Sequence, residues 1–237
     1  MKVLCIDTAT ESATCAVIDD NKLLGEITVN HTKQHSVIMM KIIDDLLSYL
    51  KLNINSIDGF VVSKGPGSFT GLRIGAATVK GLCTGTNKPF VSVSSLQALA
   101  YNMAYTNGIV CPIMDALRGN VYTNLFSFDK DHLKELSSEE IISMDDLLLK
   151  LEHYQQPICF IGDAIDKFKS KILLKFPNAL FAPSHLNVVK ASSLGAIGIE
   201  LLKESKEDNI YSFSPNYMMK SQAEREYENK IRNDKVE

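Results

Sequence analysis

VLCIDTATESATCAVIDDNKLLGEITVN, residues 3–30, holds three β-type runs in close succession. Val3–Ile6 and Thr14–Ile18 are short apolar runs, and Leu23–Asn30 follows the polar turn Asp19-Asp20-Asn21-Lys22. Connections this short cannot carry a crossover, so the three strands must run antiparallel. Working outward, a helix is expected from Ser36 to about Lys51. A buried strand follows at Phe60–Ser63 behind Asp58-Gly59, and a second helix over roughly Gly71–Thr84. Pro89 introduces the strand Phe90–Val93, and Ser94 with Gln97 reads as a capping box opening a third helix to about Tyr105.

The order then begins again. Ile109–Met114, Val121–Phe128 and Leu133–Ile142 read as three strands, followed by a capped helix Met144–Tyr154 and the strand Ile158–Ile161. A helix over about Ala164–Phe176, a strand Ala179–Phe181 and a helix capped by Ser192 or Ser193 and ending near Glu204 complete the second round. Each half places an aspartate at the end of its first strand, Asp7 and Asp115. The expected fold is therefore α/β, a duplicated β-β-β-α-β-α unit in two lobes, residues 1–105 and 106–225. Two unrelated α/β domains are the plainer alternative. Beyond Glu226 the charged tail lacks an apolar face and is expected to fray.

Composition narrows the function. A formal charge of −3 gives no global pull toward nucleic acid or an anionic membrane, so any RNA contact needs a local patch or a partner. The apolar opening Val3–Ile6 meets Asp7 at once, which is too short for a signal peptide, and no stretch approaches the ~20 apolar residues of a membrane span. Cys5, Cys15, Cys83, Cys111 and Cys159 include no C-x-x-C pair. They read as buried thiols in a reducing, cytoplasmic setting, not as a disulfide framework or zinc site.

GPGSFTGLRIG, residues 65–75, is the most specific segment, set between a buried strand and a helix. It matches neither G-x-x-x-x-G-K-[ST] nor G-x-G-x-x-G. An anion cradle at the helix N-terminus is one reading; a tight turn, with Gly75 and Gly81 allowing close helix packing, is the favoured one. On a helical wheel the Ser36–Lys51 helix gathers Lys41, Asp44, Asp45, Ser48 and Lys51 within roughly 120°, leaving an apolar arc of roughly 200°. An ordinary surface helix needs an apolar stripe of about 100°, so a second buried side is implied, on another chain or within this one. His31 and His35 stand four apart, yet without an H-E-x-x-H pattern they make a poor metal pair. Asp7-Thr8-Ala9-Thr10 and Asp115-Ala116-Leu117-Arg118-Gly119 sit where phosphate-binding hairpins would want glycines, and Gly162-Asp163-Ala164 offers only one. Asp7, Thr8, Asp115, Arg118 and Gly162 are thus candidates for a degraded nucleotide site. The plainer reading has both aspartates capping turns.

IDTATESATCAV, HSVIMMKIIDDLL, GPGSFTGLRIG, MDALRGNVY and PNYMMKSQAERE together resemble the TsaB (YeaZ) family, over nearly the whole chain. The resemblance implies an RNase H-like fold of the actin-like ATPase and sugar-kinase type. It also implies a role in making threonylcarbamoyladenosine beside the anticodon of tRNA, as a non-catalytic subunit that dimerises with TsaD and works with TsaE. It implies a homodimer when the chain is alone, tRNA contact through the complex, and no membrane. On this chain the implied partner interface maps to His35, Ile38, Met39, Ile42, Ile43 and Leu46 on the first helix, and to Thr70, Gly71, Arg73 and Ile74 on the second. Replacing Met39 and Ile42 by Glu is then expected to abolish association without unfolding. The catalytic relatives carry an H-x-x-x-H metal pair where this chain has Ser95 and Leu99, so no metal is expected. No tightly bound cofactor is expected either, with ATP left open at the level of the complex. An ATP-dependent phosphotransferase of the same fold is the alternative, and a metalloprotease a third option. Lys220, Arg225, Lys230 and Arg232 are a basic scatter that could touch tRNA, though acidic residues among them favour solvated surface.

Overall fold

The computed structural model describes residues 1–30 and 35–219, and of residues 35–37 the backbone alone. His31 and the basic scatter from Lys220 onward lie outside the described residues, as does the side chain of His35. β1 (Lys2–Asp7), β2 (Ala13–Asp19) and β3 (Lys22–Val29) form the expected antiparallel meander, with Cys5 opposite Ala16 and Cys15 opposite Ile27. α1 (His35–Leu50) crosses to β4 (Gly59–Gly65), parallel to β1, and α2 (Phe69–Thr86) crosses to β5 (Phe90–Ser94), parallel to β4. The strand order is β3-β2-β1-β4-β5. α3 (Ser95–Tyr101) opens on the expected capping box, in which the Gln97 amide donates to Ser94 Oγ at 3.3 Å and the Ser94 amide to Gln97 Oε1 at 3.4 Å. It stops short of Tyr105, which lies at φ +66° in a left-handed conformation that no helix continues through.

The second round repeats the first with one insertion. β6 (Ile109–Asp115) pairs with β7 (Asn120–Thr123), and a hairpin of β8 (Phe126–Asp129) and β9 (His132–Glu135) precedes β10 (Glu140–Ser143). The runs expected as single strands, Val121–Phe128 and Leu133–Ile142, are therefore each split. Ile113 faces Thr123 and Val110 faces Phe126 in one continuous register, so the break at Asn124–Leu125 falls opposite Cys111–Pro112. Pro112 has no amide to give the ladder, and the Thr123 hydroxyl donates to its carbonyl instead, at 2.8 Å. Asn124 Oδ1 accepts from the Leu125 amide and from Ser137 Oγ, turning the chain out of the strand. α4 (Met144–Leu151), β11 (Ile158–Ile161), α5 (Ile165–Lys175), β12 (Leu180–Phe181) and α6 (Ala191–Lys203) follow. The second sheet runs β10-β7-β6-β11-β12, the same order as the first with β10 in the third place.

Strand alternation explains the layers. Leu4 and Ile6 of β1 pack with Met39, Ile43 and Leu46 of α1 and Val79 of α2, while Val3 and Cys5 face the opposite side. There they join Leu194, Ile199 and Leu202 of α6 and Leu96 and Leu99 of α3, which also meet Val110 and Met114 of β6. The far face of the second sheet packs Cys111, Ile113 and Phe160 on Leu147, Phe168 and Ile172 of α4 and α5. α3 and α6 thus form a middle layer between the two sheets. α6 comes last among the described helices yet packs on the first sheet. A β-carbon on Gly195 would meet Cys5 Sγ at 2.4 Å, and one on Gly198 would meet Val61 Cγ1 at 2.4 Å. Neither Ser192 nor Ser193 caps it. The Ser192 amide and hydroxyl both donate to Glu26 Oε1 of β3, at 2.8 and 2.9 Å, so a carboxylate from the first sheet sits at its positive end. No helix among the described residues is long and apolar enough to cross a membrane.

Candidate functional site

The GPGSFTG segment folds as the strand-to-helix turn favoured from the sequence. Ser68 caps α2, its Oγ accepting from the Gly71 amide at 3.3 Å, and Gly65 takes φ +101°. The glycines answer to the first hairpin. β-Carbons on Gly67, Gly71 and Gly75 would lie 2.2 Å from Ala9 O, 1.9 Å from Thr8 O and 2.8 Å from Thr8 Oγ1. The turn is also bonded there: the Ser68 amide donates to Ala9 O at 2.6 Å, and the buried Thr8 hydroxyl to Gly71 O at 2.7 Å. The start of α2 is therefore seated on the Asp7–Thr10 hairpin, and the chain's own Thr8 carbonyl lies against it.

Both hairpins spend amides internally. The Ala9 amide donates to buried Asp7 Oδ1 at 3.2 Å, and the Ser12 amide to Thr10 Oγ1 at 3.3 Å. In the second hairpin the Leu117 amide donates to Asp115 Oδ1 at 3.0 Å, the Asp115 amide to Asp163 Oδ1 at 2.9 Å, and the Ala116 amide to Asn120 O at 3.0 Å. Leu117 and Arg118 take φ +64° and +53°, a left-handed pair that makes the tight turn, with Arg118 exposed. Gly162 stands at φ +127° where a β-carbon would meet Ile113 O at 2.2 Å, and its amide donates to Asn187 Oδ1. Lys167 pairs with the Asp115 carboxylate at 2.9 Å. Asp163 keeps an open outer edge, but loss of water around its carboxyl raises its pKa, and Asp115 and Glu11 add to the shift. Asp7 and Thr8 in the first hairpin, and Asp115 and Gly162 beside the second, serve as turn-forming groups, and the amides named at these positions are already taken.

The helical face needs correction at residue level. Met39, Ile42, Ile43 and Leu46 are buried against the chain's own first sheet and α2, so the wide apolar arc of α1 is absorbed mostly within the lobe. Glu at Met39 or Ile42 would bury a charge and unfold the lobe, and so could not isolate an interface. Gly71 is buried beneath Thr8. Ile38 and Ile74 are half-buried, while Thr70 and Arg73 are exposed. What α1 turns outward is Met40, 52% exposed, and Tyr49, 81% exposed, flanking Lys41, Asp44 and Ser48. On α2 the exposed positions are Thr70, Arg73, Ala77, Gly81, Thr84 and Gly85. The guanidinium of Arg73 lies 4.1 Å from the Phe69 ring centroid and Nε donates to the Tyr217 hydroxyl, while half-buried Lys80 donates to Phe213 O. Gly81 was expected to allow close helix packing, and among the described residues nothing lies within 4 Å of a β-carbon placed on Gly81 or on Gly85. Charge-poor spacing along residues 74–87 was the available signal for this face; Tyr217, far away in sequence, left none.

Ser95 and Leu99 are fully buried in the middle layer. Among the described residues no three His, Cys, Asp or Glu side chains gather as a metal site.

Two sheets of order 3-2-1-4-5 over a shared helical layer define the two-lobed, actin-like ATPase class of fold, here with hairpins closed on themselves. A family model described as "TsaD: tRNA N6-adenosine threonylcarbamoyltransferase" matches residues 22–227. The tRNA threonylcarbamoyladenosine biosynthesis protein TsaB of Bacillus subtilis (strain 168) is 30% identical over 226 residues, 94% of this chain and 96% of its own. Two solved structures agree in fold. YeaZ from Pseudomonas aeruginosa has a TM-score of 0.75 at 19% identity, covering 91% of this chain and 99% of its own. A protein from the same organism with similarity to peptidase YEAZ reaches 0.79 at 19% identity, covering 92% and 99%. The chain belongs to this threonylcarbamoyladenosine family, and within it to the TsaB proteins.

Proposed function

We propose that the chain is a non-catalytic, dimerising subunit of the machinery that transfers a threonylcarbamoyl group to the adenosine beside the anticodon of tRNA. It docks TsaD helix-on-helix through the outer face of α1 and α2. TsaE and tRNA join through that complex, and alone the same face pairs with a second copy. The names of its relatives support the pathway. One observation carries the docking role. Gly81 and Gly85 each weaken α2 by about 1 kcal/mol relative to alanine, while among the described residues no neighbour uses the space they leave. Gly71 and Gly75 in the same helix are accounted for by Thr8. A stretch kept bare and close to its helix axis fits another backbone.

The test is co-purification with TsaD. Gly81→Arg places a long charged side chain on the face without touching the core, so complex formation should fall at least about tenfold with no loss of melting temperature. Wild-type complex formation by this variant would sink the reading. Gly81→Ala and Gly85→Ala should each raise the stability of the isolated chain by about 0.5–1 kcal/mol in urea unfolding. In the same reading no nucleotide binds this chain tightly, since the hairpin amides named above are spent. Titration calorimetry with ATP and Mg²⁺ should give no heat above dilution, and a micromolar isotherm would favour the phosphotransferase alternative.

A further inference from the structure

We infer that residues Asp208–Tyr217 form a strap that clasps the two lobes together, closed by the carboxylate of Glu139. Behind α6 the chain reverses at Ser205, φ +55°, and returns along β5, the edge of the first sheet. The Asp208 amide donates to Phe90 O at 2.9 Å, and the Ser92 amide donates to Asp208 Oδ2 at 2.5 Å. The strap thereby takes backbone groups that an edge strand would otherwise offer to another chain. Phe213 sets its ring edge-on to Phe90 at 5.2 Å, and its carbonyl accepts from Lys80 of α2 at 2.9 Å. Farther on, the Asn216 amide donates to Lys64 O at 2.7 Å, and Tyr217 lies against Phe69 at the first turn of α2. Every one of these partners belongs to the first sheet or its helices.

The second lobe enters through one side chain. Glu139 lies between β9 and β10, and its Oε2 accepts from Asn216 Nδ2 at 3.0 Å. Its Oε1 accepts from the hydroxyl of Ser94, at the junction of β5 and α3. One carboxylate therefore holds both Ser94 of the first lobe and Asn216 of the strap, 45 and 77 residues away in sequence. Bonds to an ionised acceptor are the stronger kind, and a bidentate acceptor fixes direction as well as distance. Gln97 of α3 donates to Glu135 at 2.5 Å beside it, a second polar crossing on the same side. Ser94 does not need Glu139 to cap α3, because its Oγ already accepts the amides of Leu96 and Gln97. Glu139 is spare for local structure. Its reach makes sense as a link between the lobes.

Hydrogen exchange on the full chain tests this. Glu139→Ala should raise exchange about tenfold, the worth of a charge-assisted bond, in peptides covering residues 208–217. Asp208→Ala, made at the opposite end of the strap, should raise exchange in residues 136–140, which it does not touch. If Glu139→Ala loosens only residues 136–140 and the first turn of α3, the clasp is wrong. So it is if Asp208→Ala leaves residues 136–140 unchanged. Should the alanine variant not fold, Glu139→Gln keeps one acceptor and removes the charge, and the same two peptides are read.

Discussion

A β-carbon on Gly71 would sit 1.9 Å from the Thr8 carbonyl oxygen, a clash with backbone that no rotamer relieves. Gly71→Ala should therefore cost about 3 kcal/mol, through displacement of the whole first turn of α2 from the hairpin. Thr8→Val removes a buried hydroxyl that donates to Gly71 O at 2.7 Å, and should cost about 1–2 kcal/mol; urea unfolding measures both. The local conformation of this motif was legible, because glycine beside a strand end and before a helical pattern implies a tight turn. What the glycines approach was not, since Thr8 lies 63 positions away and no periodicity connects the two. The same limit separated Gly75, which packs on Thr8, from Gly81, which faces nothing among the described residues. It also explains why Met39 and Ile42 read as interface. A wheel gives the width of an apolar arc, and only the packed lobe shows which part of it the sheet consumes.

At the scale of elements, α6 shows a cap supplied from outside the helix. Glu26 accepts both the amide and the hydroxyl of Ser192, so Glu26→Ala leaves donors in the first turn without their acceptor and removes a negative charge from the helix's positive end. A loss of about 1–2 kcal/mol in urea unfolding is expected. Ser192→Ala, which keeps the amide bond, should cost less than half as much. The serines at 192 and 193 were a fair local signal for a cap, and a long-range carboxylate outcompeted it. The split of β7 from β8 had a visible cause in the sequence. Pro112 stands inside an apolar run that must pair on both sides, and a missing ladder amide interrupts the neighbouring strand opposite it.

Across the whole molecule, five buried thiols share one behaviour. Burial pushes the thiols of Cys15 and Cys111 up to about 12 and those of Cys83 and Cys159 to about 11, and drives Cys5 higher still. An unfolded thiol loses its proton near 9, so above that pH the unfolded chain binds fewer protons than the folded one, and stability must fall as pH rises. The contribution is whole below about pH 9 and declines through pH 11–12. The melting temperature should accordingly hold between pH 7 and 8.5 and drop beyond 9. A thiol-reactive aromatic disulfide should find no cysteine in the native chain at pH 8, and all five in denaturant.

The duplicated order of elements was readable along the chain, but the placing of α6 was not, and it bears on how the protein is made. The face of the first sheet that carries Cys5, Ile18, Val61 and Val91 is covered by a helix that follows 96 further residues, 95–190, in the chain. A ribosome adds those and the helix itself in roughly 5–20 s. Through that interval the newborn lobe has every strand it needs and one apolar side still open to whatever is near. The time at which this lobe becomes safe from aggregation is thus set by translation of α6, and a chain stalled before residue 191 would be a natural client for a chaperone.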